Sequence, residues 1–306
     1  MSEQKKPQLA VIGTVAIDAV ETPFGKKDKV FGGSASYFAY AASFFSTVAL
    51  VAAVGKDFPD DYRGILLERK IDLSHLEVYE GKTFSWKGKY EFDMNSAKTL
   101  DTQLNVLLEF NPRLKFKDPP EFLFLANIDP ALQIQVLDQL KKPRLKFVAC
   151  DTMNFWIENK RADLMKVLPR IDCLVLNDAE ARELTGETNL VRAAQKVKEL
   201  GPDHVVIKKG EHGVLGYFEE QFFIFPAFPL ETVKDPTGAG DSFAGGMMGY
   251  ISSQKELTLS TFKKAVAFGT VVASYTVEDF GLESLRQRTI ENFDERLDIF
   301  RKLSSF

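Results

Sequence analysis

The chain has 306 residues, 45% of them hydrophobic, and a formal net charge of −4, which suits one main domain with a large core and an appendage. A net negative protein has no overall field that attracts nucleic acid or anionic lipid, so we expect neither as a partner. The polar start of the sequence and the lack of a long apolar stretch lead us to expect a cytoplasmic protein.

Cysteine and histidine are rare, and they do not follow the spacing of a zinc site. Cys150 and Cys173 each lie within an apolar, strand-like run. In that setting a cysteine usually serves as a small buried hydrophobic side chain. We therefore expect no disulfide, no catalytic thiol and no zinc.

The predicted elements alternate between strands and helices. Apolar runs of strand length occur at Leu9–Ile12, Val48–Val54, Phe122–Leu125, Phe147–Ala149, Leu174–Leu176 and Val205–Ile207. Helical spacing occurs at Ala35–Phe45, Pro130–Leu140, Leu190–Leu200, Ala239–Ile251, Leu259–Val277 and Ile290–Leu303. This order predicts an α/β fold with a mostly parallel central sheet, helices on both faces and a helical C-terminal third.

One segment follows a different period. From Phe84 to Met94, apolar or small residues alternate strictly with polar ones, which is typical of a strand, or a hairpin bent at Gly88, with one apolar face. Ile17–Phe31 is a candidate source of partner strands. We expect a separate small sheet, and the period alone leaves open whether it is a peripheral hairpin or a lid.

The segment Asp235-Pro-Thr-Gly-Ala-Gly-Asp241 joins a strand-like run, Phe222–Phe228, to a predicted helix of small and apolar residues. Gly238 and Gly240 allow a tight turn and let a ligand approach the backbone closely. The free N–H groups of the first helical turn then point outward with the positive end of the helix dipole. The segment therefore predicts a backbone site for an anion such as phosphate.

Asp241 is an unexpected residue at such a site, because its negative charge would repel phosphate. The carboxylate makes sense if it takes a proton from a hydroxyl that attacks the phosphorus atom. The alternative is an aspartate that caps the helix, which stabilises a helix by about 1 kcal/mol. The full seven-residue arrangement favours the general base.

This segment resembles the C-terminal signature of the PfkB/ribokinase family, D-T-x-G-A-G-D followed by a helix of small residues. In that family the residue matching Asp241 is the catalytic base, and the N–H groups matching Gly238, Ala239 and Gly240 stabilise the charge on the transferred phosphoryl group. Pro236 stands where threonine is commoner, at a position whose side chain serves neither role.

The resemblance covers essentially the whole chain and implies a ribokinase-like three-layer α/β/α fold with a small β-sheet lid. It implies a single kinase domain over residues 1–306, with lid insertions at about 14–31 and 81–110. The segment Phe84–Met94 lies where the family has its lid, which in several relatives pairs with another subunit. A homodimer through the lid is therefore a candidate assembly.

The N-terminal part of the chain resembles the family's substrate site. Asp18 matches an aspartate that binds substrate hydroxyls, and Gly32 and Gly33 match a glycine pair that lets the substrate lie against the start of a helix. Tyr37 stands where many members have a sugar-binding asparagine. A tyrosine can stack on a ring and offer one hydroxyl, so a nucleoside or other aromatic substrate stays open.

Three further stretches resemble family motifs around the substrates. Asp151-Thr-Met-Asn154 resembles a D-x-x-N stretch of the sugar pocket, which implies substrate binding by Asn154. Asn177-Asp-Ala-Glu180 resembles N-x-x-E, whose glutamate helps to organise magnesium, and Lys208 to Gly213 resembles K-x-G-x-x-G near the nucleotide phosphates. The nucleotide-binding residues implied are Asn177, Glu180, Lys208, Gly210, Gly213 and Gly269. Glu180 alone could also be an exposed residue at a helix start.

The residues together predict ATP-dependent phosphoryl transfer to a hydroxyl of a small sugar or sugar-like molecule, with Mg²⁺ as cofactor. A monovalent cation such as K⁺ is a further candidate, because Phe280-Gly281 matches a region that binds one in some relatives. A nucleoside kinase of the same family is the first alternative, and a non-catalytic metabolite-binding regulator is the second. A Rossmann dehydrogenase is disfavoured, since Gly13 to Ala16 lacks the GxGxxG spacing.

Overall fold

The computed structural model describes residues 6–140 and 144–305. The strands are β1 (Leu9–Ile12), β2 (Ala16–Thr22), β3 (Gly25–Gly32), β4 (Val48–Gly55), β5 (Asp72–Tyr79), β6 (Ser85–Tyr90), β7 (Ala97–Gln103), β8 (Phe122–Leu125), β9 (Phe147–Asp151), β10 (Cys173–Asn177), β11 (His204–Lys208), β12 (Val214–Phe218) and β13 (Gln221–Phe225).

The helices are α1 (Ser34–Ala42), α2 (Asp60–Glu68), α3 (Pro130–Gln139), α4 (Asn154–Asn159), α5 (Arg161–Val167), α6 (Asp178–Thr185), α7 (Leu190–Glu199), α8 (Ala239–Ser253), α9 (Leu259–Thr276), α10 (Glu283–Arg286) and α11 (Ile290–Ser304). Short 3₁₀ turns occur at Asn105–Leu108, Leu168–Arg170 and Gly210–His212.

The main sheet has the strand order β13-β12-β11-β10-β9-β8-β1-β4-β5. Its strands are parallel from β11 to β5, and β12 and β13 add an antiparallel edge. β1, β4, β8 and β9 are buried along their whole length, which explains why they read as continuous apolar runs.

Alternate residues of each strand enter two separate cores. In β1, Leu9 and Val11 pack in a core with residues of α1, α8 and α9, while Ala10 and Ile12 pack in a core with residues of α3, α5 and α7. The two cores lie on opposite faces because successive side chains of a strand alternate. This is the three-layer α/β/α arrangement predicted from the sequence.

Cys150 and Cys173 are both buried with free thiols, as the sequence predicts. They belong to different cores, and burial raises the pKa of each thiol well above its usual range. Both are therefore packing residues.

A separate small sheet has the order β3-β2-β6-β7, with β2 and β6 parallel and the other two pairs antiparallel. Its partner strands come from the 17–31 region, as predicted. Of the two alternatives for this segment, the strand is confirmed and the hairpin bent at Gly88 is wrong, because Gly88 lies inside β6 next to a register shift and the chain turns after Tyr90 instead. Phe92 is 94% exposed, so the apolar alternation ends with the strand.

Candidate active site

Gly238 fixes the loop that precedes α8. Its φ of 74° is a backbone conformation that favours glycine, and a Cβ here would also collide with the ring of Tyr37. The carbonyl of Gly238 accepts the N–H of Ser242 at 2.8 Å, and the N–H of Ala239 donates to the carbonyl of Pro236 at 3.1 Å. Two separate steric requirements therefore place glycine at this position.

The N-terminus of α8 is arranged to hold an anion. Within the described part of the chain, the N–H groups of Gly238 and Gly240 have no backbone acceptor, and they lie at the positive end of a 15-residue helix. A Cβ on Gly240 would lie 2.8 Å from the Nζ of Lys208, so an ammonium group lies directly against this turn. Of the three amides named from the sequence, that of Ala239 is already used inside the turn.

Three of the site residues come from the ends of neighbouring parallel strands. Asp151, Asn177 and Lys208 are the last residues of β9, β10 and β11, and β10 is parallel to both of its neighbours. The carboxyl ends of parallel strands meet at one edge of the sheet, where ligands bind in folds of this type. Lys208 Nζ is accordingly 3.3 Å from Asp151 Oδ2.

Around Lys208 the structure gathers more negative than positive charge. The pKa of Asp241 is raised to about 7 by burial and by the charge of Asp151, while Lys208 opposes the rise. Burial also raises the pKa of Glu180 to about 7, again reinforced by Asp151. Burial alone would lower the pKa of Lys208, but the carboxylates of Asp151, Glu180 and Asp241 together hold it above its usual value. One ammonium therefore faces three carboxyl groups.

Glu180 occupies a capping box at the start of α6. Its backbone N–H donates to Asn177 Oδ1 at 2.8 Å, and its Oε2 accepts the N–H of Asn177 at 2.7 Å. This motif satisfies two free donors of the helix start. Glu180 is only 9% exposed, which argues against the exposed helix-start residue considered from the sequence. The N-x-x-E spacing thus serves the helix and also places a buried carboxyl group near Lys208.

Asp18 lies on β2 of the small sheet and is 5% exposed. Its Oδ1 accepts the N–H of Trp86 at 3.0 Å, and a Cβ on Gly32 would collide with its carboxylate. The pKa of Asp18 is raised to about 7 by burial and by the charges of Asp235 and Asp241, while the N–H groups of Trp86 and Gly33 oppose the rise. Asp18, the glycine pair and the two aspartates of the loop before α8 thus share one electrostatic environment.

Asp235 is a site residue that the sequence pattern left without a role. It is fully buried. Its Oδ1 accepts the N–H of Thr237 at 2.9 Å, and its Oδ2 accepts the N–H of Gly281 at 3.4 Å. Asp235 therefore ties the loop before α8 to the turn after α9. The sequence pattern also left Asp151 without a role. Its position as the last residue of a buried parallel strand was the feature that could have indicated one.

Tyr37 has a different environment from the one predicted. Its ring is 1% exposed, so stacking on a substrate ring is closed to it in this structure. It lies against Gly238 because α1 packs on α8, a helix contact that the sequence does not reveal. Its hydroxyl is buried without a hydrogen-bond partner in the described part of the chain. Tyr37 thus supports the anion-binding loop.

The other predicted residues are distributed as follows. Asn154 is exposed at the first position of α4. Gly210 and Gly213, with φ values of 54° and 83°, bound the 3₁₀ turn after β11 and so lie next to Lys208. Gly269 is buried in α9, where a Cβ would lie 2.7 Å from the carbonyl oxygen of Phe243 in α8. That gives Gly269 a helix-packing role, and its contact with a nucleotide stays a prediction.

The small sheet packs against the loop that precedes α8 and the turn that follows α9. Val20, Tyr90 and Phe280 form a buried apolar cluster, and the Tyr90 hydroxyl is 3.4 Å from Thr237 Oγ1. Half-buried Trp86 packs against the same cluster. The apolar face predicted for this sheet is therefore kept dry by the turn after α9.

Metal and membrane features are limited. Among residues 6–140 and 144–305, no group of three or more His, Cys, Asp or Glu side chains is placed to hold a metal ion. In the same residues, no helix combines the length and apolar character needed to cross a bilayer.

Comparison with known proteins assigns this arrangement to a family. The family model described as pfkB family carbohydrate kinase matches residues 6–288. A cytidine kinase from Thermococcus kodakarensis is 32% identical over 260 residues, which cover 81% of this chain and 90% of that protein.

Two solved structures have the same fold. The nucleoside kinase of Methanocaldococcus jannaschii, called an archaeal member of the ribokinase family, aligns with a TM-score of 0.78 at 20% identity, covering 96% of this chain and 99% of that one. A protein from E. coli described as ribokinase II, in complex with ATP and Mg²⁺, aligns with a TM-score of 0.79 at 16% identity, with coverage of 96% and 99%. The chain therefore belongs to the pfkB family of carbohydrate kinases and is a sugar or nucleoside kinase.

Proposed function

We propose that this protein transfers the γ-phosphoryl group of ATP to a hydroxyl group of a nucleoside, with Asp241 as the general base. The observation that carries the proposal is the carboxyl group of Asp241 in the first turn of α8, which is partly buried and has a pKa raised to about 7. A base with that pKa is half ionised near neutral pH, where it can both accept and release a proton.

In the proposed reaction, Asp241 removes the proton of the acceptor hydroxyl while its oxygen bonds to the γ-phosphorus atom. The bond between that phosphorus and the bridging oxygen breaks, and ADP leaves with the electron pair. The N–H groups of Gly238 and Gly240 stabilise the charge on the equatorial oxygens. Lys208, held beside Gly240, neutralises the phosphates, and Asp18 holds a second hydroxyl of the acceptor.

A nucleoside is favoured over a free sugar by the relationship to the T. kodakarensis cytidine kinase, which extends over most of both chains. The burial of Tyr37 removes one reason for expecting an aromatic substrate. The exposed aromatic side chain of Phe155, which is 49% exposed beside Trp156, restores an aromatic surface at the end of β9. A free sugar such as ribose is the second candidate, since Asp18 would bind sugar hydroxyls equally well.

The proposal is tested by ADP release from MgATP with cytidine, uridine, adenosine, inosine, ribose and fructose as separate acceptors. We expect at least one nucleoside to give a kcat/KM well above that of every free sugar. A clear preference for ribose or fructose would replace the nucleoside with the sugar alternative. Tight ATP binding with no acceptor-dependent ADP release from a broad panel would favour the non-catalytic regulator instead.

Magnesium fits the charge distribution of the site. The carboxyl groups of Asp151, Glu180 and Asp241 outnumber the single ammonium of Lys208, and carboxylate oxygens are ligands that Mg²⁺ prefers. Glu180 and Asp151 would hold the ion through water, and ATP oxygens would complete its shell. Bound there, Mg²⁺ would offset the charge of the phosphates.

A monovalent cation such as K⁺ is a further candidate near Asp235. The carboxyl group of Asp235 is buried, which raises its pKa. Burial also raises the pKa of Tyr37, the charge of Asp235 adds to that rise, and the Tyr37 hydroxyl has no hydrogen-bond partner among the described residues. A cation there would offset this buried negative charge. Activity in KCl compared with choline chloride at equal ionic strength tests it.

A homodimer through the small sheet belongs to the same proposal. All seven residues of β7 are exposed, and within the described residues its outer edge pairs with no strand. Free strand edges are templates for pairing with another chain, and a second copy of this chain is the partner we propose. Light scattering on the purified protein measures the mass directly.

We place this kinase in the cytoplasm, where nucleosides and ATP are both available.

A further inference from the structure

The turn between β6 and β7 reaches the loop that follows β11. Asn95, in this turn, donates from Nδ2 to Glu211 Oε1 at 3.1 Å. Its Oδ1 lies 2.9 Å from the position that a Cβ on Gly210 would take. The tip of the small sheet is thus in close contact with the 3₁₀ turn Gly210–His212, at the phosphate end of the site.

The same sheet makes a second contact with the rest of the protein, and this contact is of a different kind. Tyr90 is buried in the apolar cluster with Val20 and Phe280, and its hydroxyl approaches Thr237. A buried apolar contact of this kind gains its stability from area removed from water and depends little on direction. The Asn95–Glu211 contact is exposed and directional, so it requires the 210–212 turn to be in one position.

The 210–212 turn is tied closely to Lys208. The N–H of Lys209 donates to the carbonyl of Gly213 at 2.8 Å, which closes the turn directly after the strand end that carries Lys208. Any ligand that binds Lys208 or the adjacent backbone therefore acts on the segment that Asn95 contacts. The acceptor side is connected to the same sheet through Asp18, whose carboxylate accepts the N–H of Trp86 in β6.

We propose that Asn95 is a positioning residue that couples nucleotide binding at the Lys208–Gly213 loop to closure of the small sheet over the acceptor. A nucleotide that orders the loop stabilises the Asn95–Glu211 contact, which holds β6 and therefore Asp18 in place. Through this contact, bound nucleotide strengthens the binding of the acceptor. Thermodynamic linkage then requires that bound acceptor strengthens the binding of nucleotide by the same factor. This proposal rests on the proposed function in one respect, namely that the loop belongs to the nucleotide site.

The test uses Mg²⁺ with the β,γ-imido analogue of ATP and no acceptor. Calorimetry measures binding of the analogue, and hydrogen exchange followed by mass spectrometry measures protection of the amides in residues 85–103. We expect the bound analogue to slow exchange there by a factor of about 2 to 10, the range that one ordinary hydrogen bond supplies. Asn95→Ala should bind the analogue but lose this protection.

Two further variants separate coupling from general damage to the sheet. Lys98→Ala removes another exposed side chain of the same hairpin and should behave like the unchanged protein. Glu211→Gln keeps an oxygen acceptor for Asn95 and should retain the protection, whereas Glu211→Ala should lose it. Binding without protection, or equal protection in Asn95→Ala, would overturn the coupling and leave the proposed kinase function intact. If the analogue does not bind at all, both proposals fail.

Discussion

Two clusters of charged side chains in this molecule combine carboxyl groups with cations in opposite proportions. At the strand ends, the carboxyl groups of Asp151, Glu180 and Asp241 surround the single ammonium of Lys208. Behind the turn after α9, the single carboxylate of Glu278 lies between two guanidinium groups. Arg288 is 3.1 Å away from it and Arg296 is 2.7 Å away.

The difference in proportion separates a reactive cluster from a structural one. Glu278 has a cation at each oxygen, and the Arg296 guanidinium also lies 3.3 Å from the centroid of the Tyr275 ring, so every charge there has a fixed partner. The excess carboxyl groups beside Lys208 share one cation, and two of them have pKa values near 7. Carboxyl groups with pKa values raised in this way are typical of sites that transfer protons.

The largest effect should come from Asp241→Asn. The amide keeps the size of the side chain but cannot accept the hydroxyl proton, and loss of general-base help lowers rates by about 10² to 10⁴. We expect turnover, measured as ADP release at saturating substrates, to fall by that factor while ATP still binds. Near-normal turnover would contradict the contrast between the clusters.

A matched control for this change is Asp178→Asn. Asp178 is also an aspartate in the first turn of a helix that follows a strand-like segment, but it is exposed and paired with Arg182. An exposed ion pair contributes little to stability, and this one lies outside the charge cluster. Turnover of this variant should stay close to that of the unchanged protein.

Glu278→Gln, in the structural cluster, should lower the stability of the fold and leave turnover almost unchanged. Removing the carboxylate leaves Arg288 and Arg296 without their shared partner, and both are partly buried, with side chains 30% and 16% exposed. Partial exposure reduces the cost of an unpaired buried charge to about 1–3 kcal/mol. We expect urea denaturation to show that loss of stability. Turnover per folded molecule should change little, and a loss as large as that of Asp241→Asn would break the comparison.

Asp241→Asn should also make the fold more stable at alkaline pH. The pKa of Asp241 is about 7 in the folded protein and about 4 in an unfolded chain, so its ionisation costs stability as the pH rises from about 4 to 7. Asparagine removes that cost. A pKa difference of about 3 corresponds to about 4 kcal/mol. Because the side chain keeps some contact with solvent, we expect a smaller gain of about 1–2 kcal/mol at pH 8, with no gain near pH 4, measured by urea denaturation at both pH values. A loss of stability at pH 8 would mean that the charge of Asp241 is fully compensated.

The local parts of the fold and the site could be read from the sequence. The buried parallel strands carry continuous apolar runs, and the loop before α8 carries its glycines because φ at Gly238 is 74°. Strand β5 was not predicted, since at this sheet edge it is only partly buried and mixes polar with apolar residues.

The contacts between distant segments could not be read in this way. The packing of Tyr37 against Gly238 joins two helices far apart in the sequence. Asp235 and Gly281 meet only because the turn after α9 folds back onto the loop. In both cases the residue type is compatible with several roles, and the tertiary contact decides among them.

The central claim is that the partly buried carboxyl group of Asp241, with a pKa near 7, acts as the base, and the pH dependence of kcat/KM tests it most directly. Because Asp18, Glu180 and Asp241 all have pKa values of about 7, the acid limb reports the coupled group of carboxyls. We predict that kcat/KM falls about tenfold for each pH unit below about 7 and levels off above it. A flat profile from about pH 5 to 8 would contradict the account, because a base with this pKa would then be absent from the reaction.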